Sequence, residues 1–97
     1  MIKVKNMTSS TGSPIVNQFI IIDDGNKQEY LQSYDVIIAK KQTIVYSYEQ
    51  CKITLDVNYW NYSKTTSKYR NIFLNETTKE TKKKIKSGEY ILADLNN

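Results

Sequence analysis

The chain has 97 residues, 39% of them hydrophobic and 25% charged, with a net charge of +4. That suits one small domain, and no apolar run approaches the roughly 18–20 residues that span a membrane. There is no histidine, which removes the commonest general base and zinc ligand, and a single cysteine, which excludes an intrachain disulfide.

The first residues, MIKVKNMTSSTGSP, alternate charge and apolar side chains and then turn polar. No continuous hydrophobic region stands there, so a signal peptide is not expected and a cytosolic location is. Residues 1–13 read as a flexible arm, with a short edge strand at Ile2–Lys5 as the alternative. IVNQFIIID is rich in β-branched residues and reads as a strand. DDGN follows as a hairpin turn, and KQEYLQS as the returning strand. YDVIIAKK reads as a third strand with KQT as a polar connection. TIVYSYE reads as a fourth, with Ile44, Tyr46 and Tyr48 on one face. After a turn at Glu49–Gln50, CKITLDV alternates Cys51, Ile53, Leu55 and Val57 against Lys52, Thr54 and Asp56. Cys51 is expected in the core.

After Val57 the period changes. Ser63 or Thr65 is placed to cap a helix running to about Leu74, with Tyr69, Ile72 and Phe73 as its apolar face. Lys64, Lys68, Asn71 and Asn75 fall on one outward stripe. Thr77-x-x-Glu80 is a capping-box pattern for a second helix, and Gly88 stands where a C-terminal cap belongs. Ile85, with Thr78 and Thr81, is the only apolar side of that helix; Lys79, Lys82, Lys83 and Lys86 lie opposite. YILADL reads as a last strand. The expected fold class is α+β: an antiparallel sheet of about five strands followed by two helices and a short C-terminal strand, with residues 14–97 as a single domain.

The charge is uneven. Residues 1–61 hold six lysines and six acids, whereas residues 62–88 hold eight cations against Glu76 and Glu80, a net of +6. Such asymmetry points to an anionic partner, against the plainer reading of a solvated lysine face. The candidate partner-binding residues are Lys64, Lys68, Arg70, Lys79, Lys82, Lys83 and Lys86. The aromatics from Trp60 to Phe73 have two readings: a stacking surface, or the packing that anchors the first helix. A helix-turn-helix is disfavoured, because the second helix has almost no apolar positions for docking. Tyr46, Tyr48, Tyr59 and Tyr62 are candidates for an interface patch. For catalysis the available acids are Asp23, Asp24, Glu49 and Asp56, with no nucleophile motif or phosphate loop. No catalytic residue, metal or cofactor is therefore assigned.

From Trp60 onward the chain resembles a family of short bacteriophage and prophage proteins. The matching residues are Tyr59-Trp60, Tyr62-Ser63-x-Thr65-Thr66-x-Lys68, Phe73-Leu74, Glu80-Thr81, Ile85, Gly88, Tyr90 and Leu95-Asn96; NQFII and LQSYDVIIA are similar too. The stretch KKQTIVYSYEQ departs from it by being longer. The resemblance implies a phage or mobile-element origin and action by binding, as in inhibitors of host restriction or CRISPR nucleases. The expected function is a non-enzymatic, anti-CRISPR-like inhibitor that docks on a host protein or nucleoprotein complex through a basic helical face. The alternative is direct binding of DNA or RNA; self-association through an edge strand is a third option, and no membrane partner is expected.

Overall fold

A computed structural model of the chain describes residues 1–45 and 49–97, and the side chains of 1–43 and 51–97. The reading that put Ile44, Tyr46 and Tyr48 on one face lies outside the described residues. Five strands come first: β1 (Ile2–Thr8), β2 (Pro14–Asp23), β3 (Gln28–Ser33), β4 (Val36–Val45) and β5 (Glu49–Asp56). Two helices follow, α1 (Lys64–Leu74) and α2 (Thr78–Ser87), then β6 (Ile91–Ala93). The strands form one sheet in chain order. Neighbours from β1 to β5 are antiparallel, and β6 pairs parallel with β5. A parallel partner needs a long crossover, which the two helices supply. The α+β class, with helices after the sheet and a closing strand, is as expected.

The strands are not drawn from the chain quite as the pattern suggested. Residues 2–8, within the segment read as an arm, pair with β2 over Ile2–Asp23 to Asn6–Phe19. That is the edge-strand alternative, longer than its apolar alternation implied. KQT is not a connection: Lys41, Gln42 and Thr43 continue β4 opposite Ile53, Lys52 and Cys51. Polar residues serve there because a strand needs only its backbone paired. Glu49 and Gln50 open β5 instead of forming a turn. In the β2–β3 connection, Asp23 accepts from the Asn26 amide at 2.8 Å, and Lys27, not Gly25, takes the left-handed conformation.

Register assigns the faces. One row across the sheet is Lys5–Ile20–Leu31–Ala39–Leu55–Leu92; the adjacent row is Val4–Ile21–Tyr30–Lys40–Thr54–Ile91. Adjacent rows face opposite ways. Leu31, Ala39 and Leu55 are fully buried and meet Phe73 and Tyr90 in the core, with Ile85 packed against it. Ser33, on the same side, lies 3.3 Å from the Thr66 hydroxyl, and the Lys41 ammonium sits 4.3 Å from the centre of the Phe73 ring. Both helices therefore cover this face. Among the described residues no helix is long and apolar enough to cross a membrane.

Two expectations about β5 are overturned. Cys51 is exposed, not a core residue. It lies on the helix side near the start of the strand, where the helices leave a cleft over it instead of a packed contact. Val57 is exposed too, while Asp56 is fully buried. Asp56 Oδ2 accepts the backbone N–H groups of Asn58 and Tyr59, at 3.0 and 2.9 Å. Its Oδ1 accepts Leu95 N–H at 2.8 Å and the Asn96 amide at 3.0 Å. Four donors replace the water this carboxylate loses. The Asn96 side chain also bonds both backbone groups of Ile37, closing the end of the sheet.

Candidate functional site

Each helix starts where its caps require. Ser63 accepts Thr66 N–H at 3.1 Å, and Thr77 and Glu80 form a complete capping box. Asn75 and Gly88 end the helices in the left-handed conformation, and Asn75 N–H bonds back to the last turn. These ends set the phase of each helix, and hence which lysines face outward.

In α1 the buried residues are Thr66, Arg70 and Phe73. Lys64 and Lys68 are exposed, Lys68 at the rim of a cleft shared with Thr8, Ser9, Ser10 and Ile15. The expected apolar face is corrected in one member: Ile72 is 55% exposed, at a cleft it shares with Lys5, Asn6 and Ile20, while Thr66 and Phe73 make the buried sheet contact. Tyr62 is likewise exposed, its ring meeting Tyr59 edge-on at 5.4 Å. In α2 only Thr81 is buried, and Lys79, Lys82, Lys83 and Lys86 are all exposed. Among the described residues, none of these six lysines has a carboxylate within 4.0 Å.

Arg70 does not belong to this face. It is fully buried. Its guanidinium donates to the Trp60 carbonyl at 2.6 Å, Asn61 Oδ1 at 3.1 Å, Asn71 Oδ1 at 3.0 Å and Thr78 Oγ1 at 2.8 Å. The Trp60 ring stands 5.2 Å away. Burial lowers its pKa and the Glu76 charge opposes that, but an arginine remains cationic. Its helical position beside Thr66 and Phe73 faces the seam between the two helices and the end of β5. A side chain with five N–H donors fits a seam built of carbonyl and amide oxygens. Arg70 is a joint, not a contact for a partner.

Lys84 is set apart from its neighbours in the lysine run. Its ammonium is 2.8 Å from Glu76 Oε1, which also accepts the Tyr90 hydroxyl at 2.6 Å, while Oε2 accepts from Thr81. Burial raises the Glu76 pKa, but the bonds from Lys84, Thr81 and Tyr90 outweigh it and hold the carboxyl below its ordinary range. The same contact raises Lys84. Burial, then the Glu76 bond, pushes Tyr90 up to about 12. These groups line a cleft of about 350 Å³ together with Cys51 and Lys41. Glu76 is ionised and Lys84 and Tyr90 are protonated near neutral pH, so none of the three is poised to exchange a proton there. Among the described residues no three His, Cys, Asp or Glu side chains gather as a metal site.

The residues that carry the resemblance are mostly joints of this kind. Ser63 caps α1, Thr66 meets Ser33, Thr81 and Tyr90 bind Glu76, Gly88 ends α2, and Asn96 binds Asp56. The pattern describes how the helices and tail lock onto the sheet. The outward lysines lie largely outside it.

No curated protein and no solved structure matches this chain. A family model does match, over residues 2–89, from the first strand to just past α2. The chain thus belongs to that family, described as a family of unknown function, DUF8033.

Proposed function

We propose that the protein acts by binding, with the exposed lysines of α1 and α2 docking an anionic surface of a nucleic-acid-handling complex. The carrying observation is α2 itself. A ten-residue helix with one buried side chain presents Lys79, Lys82, Lys83 and Lys86 to solvent without described carboxylate partners. Lys84, the one lysine of the run held by a carboxylate, also shows how the others differ. Lys64 and Lys68 add two charges on the helix just before. Unpaired cations of one sign raise the rate of encounter with acidic surfaces and disfavour basic ones. The finer reading is an anti-CRISPR-like inhibitor of phage type that occupies a host effector; the pattern from Trp60 to Asn96 supports it. Direct binding of DNA or RNA is the second reading, favoured by the same lysines.

Nuclease-treated pull-downs from host lysate, at low and moderate salt, separate the two. The inhibitor reading expects a stoichiometric partner that survives nuclease and is lost when Lys79, Lys82, Lys83 and Lys86 are changed to Ser. It fails if no such partner appears or if the four-serine variant retains it. The direct reading expects affinity for free DNA that falls with salt, with a log–log slope of about −0.9 per phosphate neutralised on a duplex.

A further inference from the structure

The helices cover one face of the sheet; among the described residues no helix lies on the other, where the C-terminal residues close over Asp56. Phe19 follows Gln18, which is buried opposite Ser33 on the helix side, so Phe19 points the other way. Tyr30 precedes the core residue Leu31 and is also on the open side. Lys40 lies between Ala39 and Lys41, both on the helix side, and Lys52 precedes the core residue Ile53. Phe19, Ile21 and Tyr30 are half-buried, and none of them is packed against the core.

The two rings occupy the neighbouring strands β2 and β3, inside the β1 edge. Tyr30 stands opposite Ile21, and Phe19 is two residues along from Ile21. They are therefore diagonal neighbours about 7–8 Å apart. Lys40 is directly opposite Tyr30, and Lys52 lies on the next strand beyond it, opposite Gln42. The Tyr30 hydroxyl donates to Gln28 Oε1 at 2.8 Å, so the ring leans along its strand. Among the described residues the strands place two acids on this side. Asp56, on this side, is buried under the C-terminal residues, and Asp23 sits at the hairpin end with its carboxylate turned to Asn26.

We infer that this open face stacks the bases of single-stranded nucleic acid on Phe19 and Tyr30, with Lys40 and Lys52 holding the phosphates. Aromatic rings on a sheet face with cations at their side are the elements by which sheets bind unpaired strands. On the same face Gln28 holds the Tyr30 hydroxyl and Gln32 the Tyr34 carbonyl, which leaves the Gln42 amide to meet a base edge. A duplex keeps its bases stacked inside and offers nothing to the rings. The pairing of rings with cations argues for the occupant: each nucleotide of an unpaired strand carries one phosphate and one base face, and this face offers partners to both. The site is separate from the lysines of α1 and α2 and does not depend on the reading given to them.

The test is a fluorescence-anisotropy titration of the full chain with labelled twelve-residue oligothymidylate and oligouridylate, and with a duplex of equal length. The single strands are expected to bind, and more tightly than the duplex. Changing Phe19 and Tyr30 together to Leu keeps apolar bulk on the sheet and removes both ring faces. It is expected to weaken single-strand binding about a hundredfold, since one stacked base is worth roughly tenfold or more. Tyr30→Phe is expected to retain binding. Circular dichroism and thermal melts check that each variant is folded; if the double variant is not, Phe19→Leu and Tyr30→Leu singly must each weaken binding about tenfold. The four-serine variant of α2 is expected to keep the dependence on the rings. No single-strand binding at low salt, equal binding by folded ring variants, or complete loss on changing the α2 lysines alone would each overturn the inference. The two oligonucleotides then report whether DNA or RNA is preferred. The pull-down of the four-serine variant is scored independently, so the helix face and the sheet face can fail separately.

Discussion

Glu76, in the link between the helices, and Tyr90, at the entry to β6, are fourteen positions apart and joined by a 2.6 Å hydrogen bond from phenol to carboxylate. With Lys84 and Thr81 on the same carboxylate, this bond ties the end of α1, the middle of α2 and the last strand together. Tyr90→Phe leaves the ring in the core and removes one donor to a charged acceptor. The expected loss is about 1–2 kcal/mol, read from urea denaturation at pH 7. An unchanged midpoint would mean the bond is replaced by water at no loss.

The same cluster sets a pH window. Glu76 is held below its ordinary value, so its contribution is complete above about pH 4.3 and is lost as the pH falls through its folded pKa. Tyr90 is raised, so its contribution is complete below about pH 10 and is lost as the pH climbs from there to its folded value of about 12. Lys84, also raised, acts in the same direction as Tyr90, weakened by its exposure to water. Stability is expected to be level between the two limits and to fall outside them. Denaturation midpoints at pH 3, 7 and 11 check this. Glu76→Gln should reduce the acid loss and Tyr90→Phe the alkaline loss.

Arg70→Lys separates a joint from a surface charge. A surface exchange of this kind changes stability by no more than about 0.5 kcal/mol. At the buried seam, lysine cannot reach the Trp60 carbonyl, Asn61, Asn71 and Thr78 together. The expected loss is about 2–4 kcal/mol, with the Trp60 emission shifted to the red. Wild-type stability in this variant would return Arg70 to the surface.

Asp56→Asn puts an amide where two of the four donors now meet an oxygen. A loss of about 2–3 kcal/mol is expected, together with faster proteolysis of the residues after Ala93. Asn96→Ala should do less to stability but release the same tail.

Cys51 lies in the open, so its thiol should react with Ellman's reagent in native buffer nearly as fast as in denaturant. A core thiol would wait for the strand to open. Strong protection would restore the core assignment.

The features legible in the sequence are those made by residues three or four apart. The Thr77–Glu80 box and Gly88 place the second helix, and Ser63, one of the two caps the sequence offers, starts the first, because a cap bonds its own first or last turn. Alternation identifies strands in the same way, since each strand's period is its own. The outward position of Lys64, Lys68, Lys79, Lys82, Lys83 and Lys86 follows from the same helical phase.

Alternation cannot say which face of a strand is covered, or how far the cover extends. That depends on elements dozens of residues away. Cys51 and Ile53 share a face, yet the helices bury only Ile53 and leave a cleft over Cys51. Arg70 carries a charge and reads as surface, until Trp60, Asn61 and Thr78 close over it. Lys84 matches its neighbours in type, and only the return of Glu76 and Tyr90 distinguishes it. Local hydrogen bonds therefore write the elements into the chain, while burial and pairing between distant elements assign each charged side chain to the interior or to a partner.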